Sequence, residues 1–456
     1  MCGIAACYGV DAAKYVYRLM LELQHRGQES AGIAYVADRC IKSIVRSGYV
    51  ISAISPDELS SVNSSVAIGH VRYSTSGGYM DGEGAQPIVV GNGNRRISIA
   101  FNGNIINYRE LSREYLKREC VSDSEALAGL IYLFTLELGD VVEAVKEVGN
   151  LVLGSYSLVV LTNNNELIIA RDGNGFKPLA YSIQDKSFVV ASETSAIEAL
   201  GFSAREVGPG DILSYDGSSL EVLPNAIRSS CFTPCIFEYI YFSRPDTIFN
   251  GIQVHEARVR MGAFLGKLDT QEVDVAIPVP DSGRSAALGY SIAKHVMLDE
   301  GLIRNRYVGR SFIMPPNIRE FISSIKYGVV KSVVNGRRLA VIDDSLIRGT
   351  TMKEVVKLLR SRGAHQVHVR IASPPIRYPC FMGIDFPTRR ELIAARLANT
   401  GFIAKAIEAD SILYNTVEGL KWATQLQTPC MACFTGEYPF KGLDLERLEN
   451  AFSRWH

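Results

Sequence analysis

Neither sign of charge prevails in this sequence: Lys and Arg together number 48, and so do Asp and Glu. A balanced surface lacks the broad basic field that draws proteins to nucleic acid or anionic membranes, so neither is expected as a partner. Long apolar runs are missing too. The best, around Leu127–Leu138, is broken by Thr135 and Glu137, and a membrane-spanning helix needs roughly 20 apolar residues. The opening Met1-Cys2-Gly3-Ile4 carries no basic stretch ahead of an apolar one, which predicts no secretory leader and a cytoplasmic protein. Internal repeats and low-complexity segments are absent. Cysteine is too sparse and its count, nine, too odd for a disulfide framework. Catalysis and metal binding are better uses for some of the nine.

What is present is enough apolar residue, 47% of 456, for more than one core, so two domains are expected. Residues 2–228 read as strand-rich with a few helices. Ser155–Thr162, Asn163-Asn164-Asn165 and Glu166–Arg171 read as a hairpin around a polar turn. Ser65–Ile68 and Ile97–Phe101 read as strands, and Ala12–Gln24 and Ser124–Glu137 have helical spacing. The pattern changes near Leu223–Thr233. Across residues 229–456 short apolar strands alternate with helices: Val273–Val279 then Ser285–Lys294, Arg338–Ile342 then Met352–Arg362, then Gln366–Ile371. Such alternation predicts a mostly parallel sheet. Lys441–His456 reads as a short terminal helix.

Cys2 directly follows Met1, and a small second residue favours removal of that Met. The freed α-amine would titrate at roughly 7.7–8.0 and could serve as base to the thiol beside it. Taken alone, Cys2 reads equally well as a small buried apolar residue. Its companions are His25-Arg26-Gly27-Gln28-Glu29-Ser30, His70-Val71-Arg72-Tyr73-Ser74-Thr75, Phe101-Asn102-Gly103-Asn104 and Ser122-Asp123-Ser124-Glu125. With these in this order, the sequence from Cys2 to about Gly210 resembles the N-terminal-nucleophile domain of class II glutamine amidotransferases. The resemblance implies an α+β sandwich of αββα layers and a thioester at Cys2. It implies an oxyanion held by the Asn102 side chain and the Gly103 N–H, and glutamine bound by Arg26, Arg72 and Asp123. Helix capping is the structural competitor for Asp123.

The strand Arg338–Ile342 runs into Asp343-Asp344-Ser345-Leu346-Ile347-Arg348-Gly349-Thr350-Thr351 and then a helix with Met352, Val355, Val356 and Leu359 on one face. Thr351 and Glu354 fit a capping box, and Gly363 fits a stop. A helix N-terminus behind a small polar loop is an anion site. Paired acids beside it suit a ribose diol or a hard divalent ion. This run resembles the phosphoribosyl pyrophosphate (PRPP) motif of type I phosphoribosyltransferases, an α/β fold. The resemblance implies that Asp343 and Asp344 hold the ribose. Ser345, Arg348, Gly349, Thr350 and Thr351 would cradle the 5′-phosphate, Asp281 and Ser282 the pyrophosphate, and Lys326 would close from a mobile loop within Asn317–Val334. Mg²⁺ is implied at Ser282, Asp343 and Asp344.

Both halves in one chain resemble the glutamine PRPP amidotransferase family. That implies ammonia channelled from glutamine to PRPP, giving 5-phosphoribosylamine in the first committed step of purine synthesis. It also implies purine nucleotides as feedback inhibitors and a homotetramer or homodimer. Ser324, Gly328, Lys331, Lys177 and Gly283-Arg284 depart from the family pattern. A sensor of PRPP or nucleotides that has lost catalysis is the competing reading, though a sensor needs no glutaminase. Cys430-Met431-Ala432-Cys433 with Cys235 and Cys380 could hold Zn²⁺ or a [4Fe–4S] cluster, and spacing does not decide. The resemblance favours the cluster, with Cys231 as a substitute ligand.

Overall fold

The computed structural model describes residues 1–453 apart from 74–83, 94, 185, 230, 306–326, 387, 398, 441 and 443. The first half stacks helix on sheet on sheet on helix. One sheet runs, in spatial order, Arg205–Glu206, Ala180–Gln184, Ser187–Ala191, Gly3–Tyr8, Val66–Arg72, Ser30–Ala37 and Cys40–Ser47. The other runs Leu220–Leu223, Ile212–Tyr215, Leu167–Arg171, Gly154–Thr162, Arg95–Ile105 and Ile88–Asn92.

Strand alternation builds these layers. In Gly3–Tyr8, Ile4 and Ala6 face the opposite sheet, meeting Ala100, Val159 and Leu161. Ala5 and Cys7 face the helix Ala12–Glu22 through Val16, Leu19 and Met20. On the second sheet Ile97, Ile99 and Phe101 point outward to the helices Asp123–Leu138 and Val141–Leu151. Cys7 is thus a core residue, and burial pushes its thiol up to about 12. The expected hairpin pairs Gly154–Thr162 with Leu167–Arg171. Asn165 takes φ 66 in its turn, a conformation asparagine tolerates.

The second half holds a five-stranded sheet in the order Met297–Leu298, Val275–Pro278, Arg338–Asp343, Gln366–Ile371, Ser411–Tyr414. Every pairing in it is parallel. Ala276, Ala340 and Ile342 turn to the face covered by Val254–Leu268 and Arg284–Lys294. Val275, Ile277, Leu339 and Val341 turn to the face covered by Thr350–Ser361. The two central neighbours, Val275–Pro278 and Arg338–Asp343, therefore send their helices to opposite faces, and the chain continues to opposite edges. That is a topological switch point, where a crevice opens at the carboxyl ends of the strands.

The phosphate loop departs from expectation at one point. The helix starts at Thr350 with Gly349 as its cap at φ 83, and no side chain caps it. Thr351 and Glu354 lie inside the first turns, so the capping box is absent; the left-handed turn at Gly349 has taken over that end. Gly363 does terminate the helix, at φ 94. Among the described residues no helix is long and apolar enough to cross a membrane.

Candidate active sites

Cys2 sits at the entry to the central strand Gly3–Tyr8, where the two sheets part. Its backbone N–H donates to Asn102 Oδ1 across 3.0 Å, which bridges one sheet to the other. Asn102 is wholly enclosed, and its Nδ2 has no partner among the described residues. A buried amide donor left unpaired is costly, so it is poised for a ligand that accepts. Gly103 follows on the same strand. A Cβ there would lie 1.8 Å from Ser155 O, so no side chain fits without moving the backbone. The glycine lets the neighbouring strand close tightly behind the donor.

Arg26 lies behind Cys2 and is fully enclosed. Its Nε donates to Cys2 O at 3.0 Å; its Nη1 donates to Glu193 at 2.6 Å, and its Nη2 to Glu238 at 2.8 Å. Arg26, expected among the glutamine-binding residues, donates to these protein partners and fixes the backbone of Cys2. His25 also meets Glu193, at 2.7 Å. Burial alone would raise the Glu193 carboxyl, but His25 and Arg26 outweigh it and hold it well below the usual carboxylate range. Nothing local in the sequence assigns Glu193 or Glu238 a role. Only tertiary structure brings them together, 167 and 212 residues from Arg26. Breaking a buried ion pair strands the partner charges. Arg26→Met is therefore expected to destabilise the protein by about 3–5 kcal/mol, read from chemical denaturation.

Asp123 opens the helix Asp123–Leu138 but does not cap it. Ser122 is the cap, accepting from the Glu125 N–H at 3.2 Å. Asp123 Oδ2 accepts from the Ile105 N–H at 3.2 Å. Burial pushes its carboxyl up to about 6, against the pull of backbone donors and Arg72. A folded value above the ordinary 3.8 means the folded chain binds the extra proton between about 3.8 and 6. The stability this group contributes therefore falls as pH rises through that window. Arg72 ends the strand Val66–Arg72, in the electrostatic surroundings of Asp123 and beside Gly84, where a Cβ would lie 3.0 Å from its Nη2. Ser74 and Thr75 lie outside the described residues.

At the second site the switch point gathers two loops. Asp343 ends its strand half-buried, and its Oδ1 accepts from the Asp344 N–H at 2.9 Å. Asp344 is buried and accepts from Ser345 Oγ at 2.5 Å. The Gly349 turn brings the exposed Thr350 and Thr351 to the helix N-terminus. A Cβ on Gly349 would lie 2.7 Å from Ile393 Cδ1. Arg348 is exposed and donates from Nε to Glu391 at 2.8 Å. On the adjacent strand end, Asp281 is exposed and meets Arg304 at 3.1 Å; Ser282 is half-buried beside it. Arg284 is engaged with Glu300 at 2.6 Å. Lys326 and Ser324 lie outside the described residues. Gly328 lies in the strand Tyr327–Val329, which pairs with Leu302–Arg304 in an antiparallel hairpin.

Between the two sites the chain is braced by its cysteine segments. Cys235 and Cys430 pair in a parallel bridge, and the Cys235 N–H donates to Phe176 O at 3.1 Å. Cys380, Cys430 and Phe176 share one apolar cluster, and Cys235, Cys380 and Cys433 another. Burial pushes these thiols up, Cys235 to about 11. The segment after Cys380 reaches back to the oxyanion strand: Asn104 Nδ2 donates to Phe381 O at 2.9 Å and Ser155 Oγ to Met382 O at 2.8 Å. Cys231 is exposed and turned to Thr233 at 3.0 Å, outside this gathering. Among the described residues no three His, Cys, Asp or Glu side chains are grouped closely enough to hold a single metal ion.

Comparisons with known proteins agree along the whole chain. A model described as a glutamine amidotransferase domain matches residues 70–199. The amidophosphoribosyltransferase of Pyrococcus horikoshii is 45% identical over 449 residues, 98% of each chain. That of Bacillus subtilis is 39% identical, covering 96% of this chain and 94% of the relative. The solved B. subtilis glutamine PRPP amidotransferase, complexed with ADP and GMP, superposes with a TM-score of 0.86 at 37% identity, over 97% of this chain and 99% of that one.

Proposed function

The chain belongs to the amidophosphoribosyltransferase family, whose reaction is the first step of purine biosynthesis, and from that premise we propose which of its residues carry the chemistry. Cys2, freed of Met1, is the nucleophile. Its α-amine takes the thiol proton while Asn102 Oδ1 holds that nitrogen in place. The thiolate attacks the glutamine carboxamide. The oxyanion falls to Asn102 Nδ2 and the Gly103 N–H, and ammonia leaves as a thioester forms. Water then releases glutamate. The unpaired Asn102 amide beside Cys2 is the observation that carries this reading. Arg72 pairs with the substrate carboxylate and Asp123 with its ammonium. Arg26 positions Cys2 and does not touch glutamine.

Only the ionised form of Asp123 can hold an ammonium. Its carboxyl is poised near 6, so kcat/KM for glutamine should fall about tenfold per unit as pH drops below that value. Asp123→Asn should lower kcat/KM at neutral pH and erase this acid limb. An unchanged limb in the variant would assign the titration to another group.

At the switch point Asp343 and Asp344 hold the ribose diol. Ser345, Gly349, Thr350 and Thr351 bind the 5′-phosphate, and Asp281 and Ser282 border the pyrophosphate. Arg348 joins the phosphate loop by leaving Glu391, and Lys326 contributes a positive charge to bound PRPP. Ser282, Asp343 and Asp344 would hold a Mg²⁺ ion, which would supply positive charge to offset that of the departing pyrophosphate. Two carboxylates suffice because Mg²⁺ keeps waters and substrate phosphates as its other ligands. Ammonia, shielded from water, attacks C1 as pyrophosphate leaves. Cys235, Cys380, Cys430 and Cys433 hold a [4Fe–4S] cluster that ties the chain's end to its first half. Four thiolates suit either zinc or an iron–sulfur cluster; kinship with the amidophosphoribosyltransferases is what favours the cluster here. Purine nucleotides bind this chain as feedback inhibitors, a reading supported by the solved Bacillus relative being complexed with ADP and GMP. Glutaminase assays with and without PRPP test the whole scheme. Glutamine hydrolysis should rise when PRPP is bound, and a chain indifferent to PRPP would be no coupled enzyme.

A further inference from the structure

Arg258 is a buried cation spent on backbone. It lies one turn into the helix Val254–Leu268 and is enclosed. Its Nε donates to Tyr239 O at 2.6 Å and its Nη2 to Ser243 O at 2.8 Å. Among the described residues it forms no ion pair. Enclosing a guanidinium without a carboxylate is costly. What the side chain does here is fix the two ends of one short segment.

That segment, Glu238–Phe242, is a single wide helical turn, closed by the Ser243 N–H donating to Glu238 O at 3.1 Å. Turns of this kind recur at functional sites. Glu238 is its first residue. The Glu238 carboxylate accepts from Ser243 Oγ at 2.6 Å and from Arg26 at 2.8 and 3.0 Å. Arg26 in turn donates to Cys2 O. An unbroken run of hydrogen bonds therefore leads from Arg258 to the backbone of Cys2.

On its other side Arg258 is anchored to the parallel-sheet half. One turn earlier, His255 Nδ1 meets Ser285 Oγ at 3.0 Å. Ser285 lies in the first turn of the helix Arg284–Lys294, directly after the Asp281–Ser282 loop. The two helices touch backbone to backbone. A Cβ on Gly262 would lie 1.8 Å from Ala286 O, and one on Gly289 1.8 Å from Val259 O. Elements packed this closely pass displacement on rather than absorb it.

We propose that Arg258 is a positioning residue that carries occupancy of the pyrophosphate loop to Cys2. When PRPP draws in the Asp281–Ser282 loop, the two joined helices shift. Arg258 takes the Glu238–Phe242 turn with them, and Arg26 resets Cys2 O relative to Asn102. The inference rests on the coupled-enzyme reading above and deepens it. It needs no contact between Arg258 and either substrate.

The test uses the full chain as parent, Arg258→Lys, Ser285→Ala and the double variant. Glutamine hydrolysis is measured with and without saturating PRPP, and ammonia-dependent pyrophosphate release alongside. Lysine keeps the charge but not the planar fork. Ser285→Ala removes one hydroxyl where alanine suits a helix. Each single variant should lower the stimulation by PRPP about fivefold or more, the low end of coupling between sites. Ammonia-dependent release should stay near the parent. The double variant should be no worse than the more affected single one, because both cut the same route. An arginine that merely supports the fold would cost stability and leave the stimulation ratio untouched. Parent-like stimulation in either folded variant, or losses that multiply in the double, overturns the proposal. A parallel loss of ammonia-dependent release would place the effect at PRPP binding and overturns it too. If Arg258→Lys does not fold, Ser285→Ala decides alone. A parent that PRPP does not stimulate is a different failure, that of the coupled reading itself.

Discussion

Cys2→Ala should lose glutamine-dependent phosphoribosylamine formation by a factor on the order of 10⁶, the scale seen when a covalent nucleophile is deleted. The same variant should keep its ammonia-dependent rate. The reason is spatial separation. Cys2 lies where the two antiparallel sheets part, bonded to Asn102, whereas the paired aspartates lie at the carboxyl ends of a parallel sheet in the other half. Alanine is small enough to leave removal of Met1 unaffected, and it disturbs neither the Asn102 nor the Arg26 contact, because both are made by the Cys2 backbone. Supplying ammonium chloride in place of glutamine, with pyrophosphate release as readout, separates the two halves. Glutamine-dependent product at the parent rate would mean another nucleophile.

Replacing both Asp343 and Asp344 by Asn should have the complementary effect. Asparagine matches aspartate in shape, so the hydrogen bonds from the Asp344 N–H and Ser345 Oγ can persist. What is lost is charge opposite a cationic transition state and its metal. Removing one well-placed electrostatic group typically costs about 10²–10³ in rate, and two at one site should cost at least that. Both glutamine- and ammonia-dependent rates should fall together. Basal glutamine hydrolysis should survive, but PRPP should no longer stimulate it. Retained ammonia-dependent turnover would remove these residues from the reaction.

The local layer of this structure was readable from residue order. The expected strands Ser65–Ile68 and Ile97–Phe101 fall within or beside observed ones, and the helical face of Met352, Val355, Val356 and Leu359 is where spacing puts it. The switch between an antiparallel sandwich and a parallel sheet was also legible, because βα alternation begins only after the Pro- and Ser-rich stretch. Capping at Thr351 was misread: Ser/Thr-x-x-Glu is a local signal, and the left-handed turn at Gly349 overrode it. Arg26 was expected among the glutamine-binding residues, and its ion pairs were not legible: Glu193 and Glu238 are distant in sequence and carry no periodicity.

The bonds from Asn104 to Phe381 and from Ser155 to Met382 set a timetable for biosynthesis. The strand that carries Asn102 and Gly103 is shored up by peptide made some 277 residues later. A ribosome that has delivered only the first half has released a nascent protein whose oxyanion strand lacks its brace. Peptide from the second half is therefore needed before the packing behind Asn102 and Gly103 is complete.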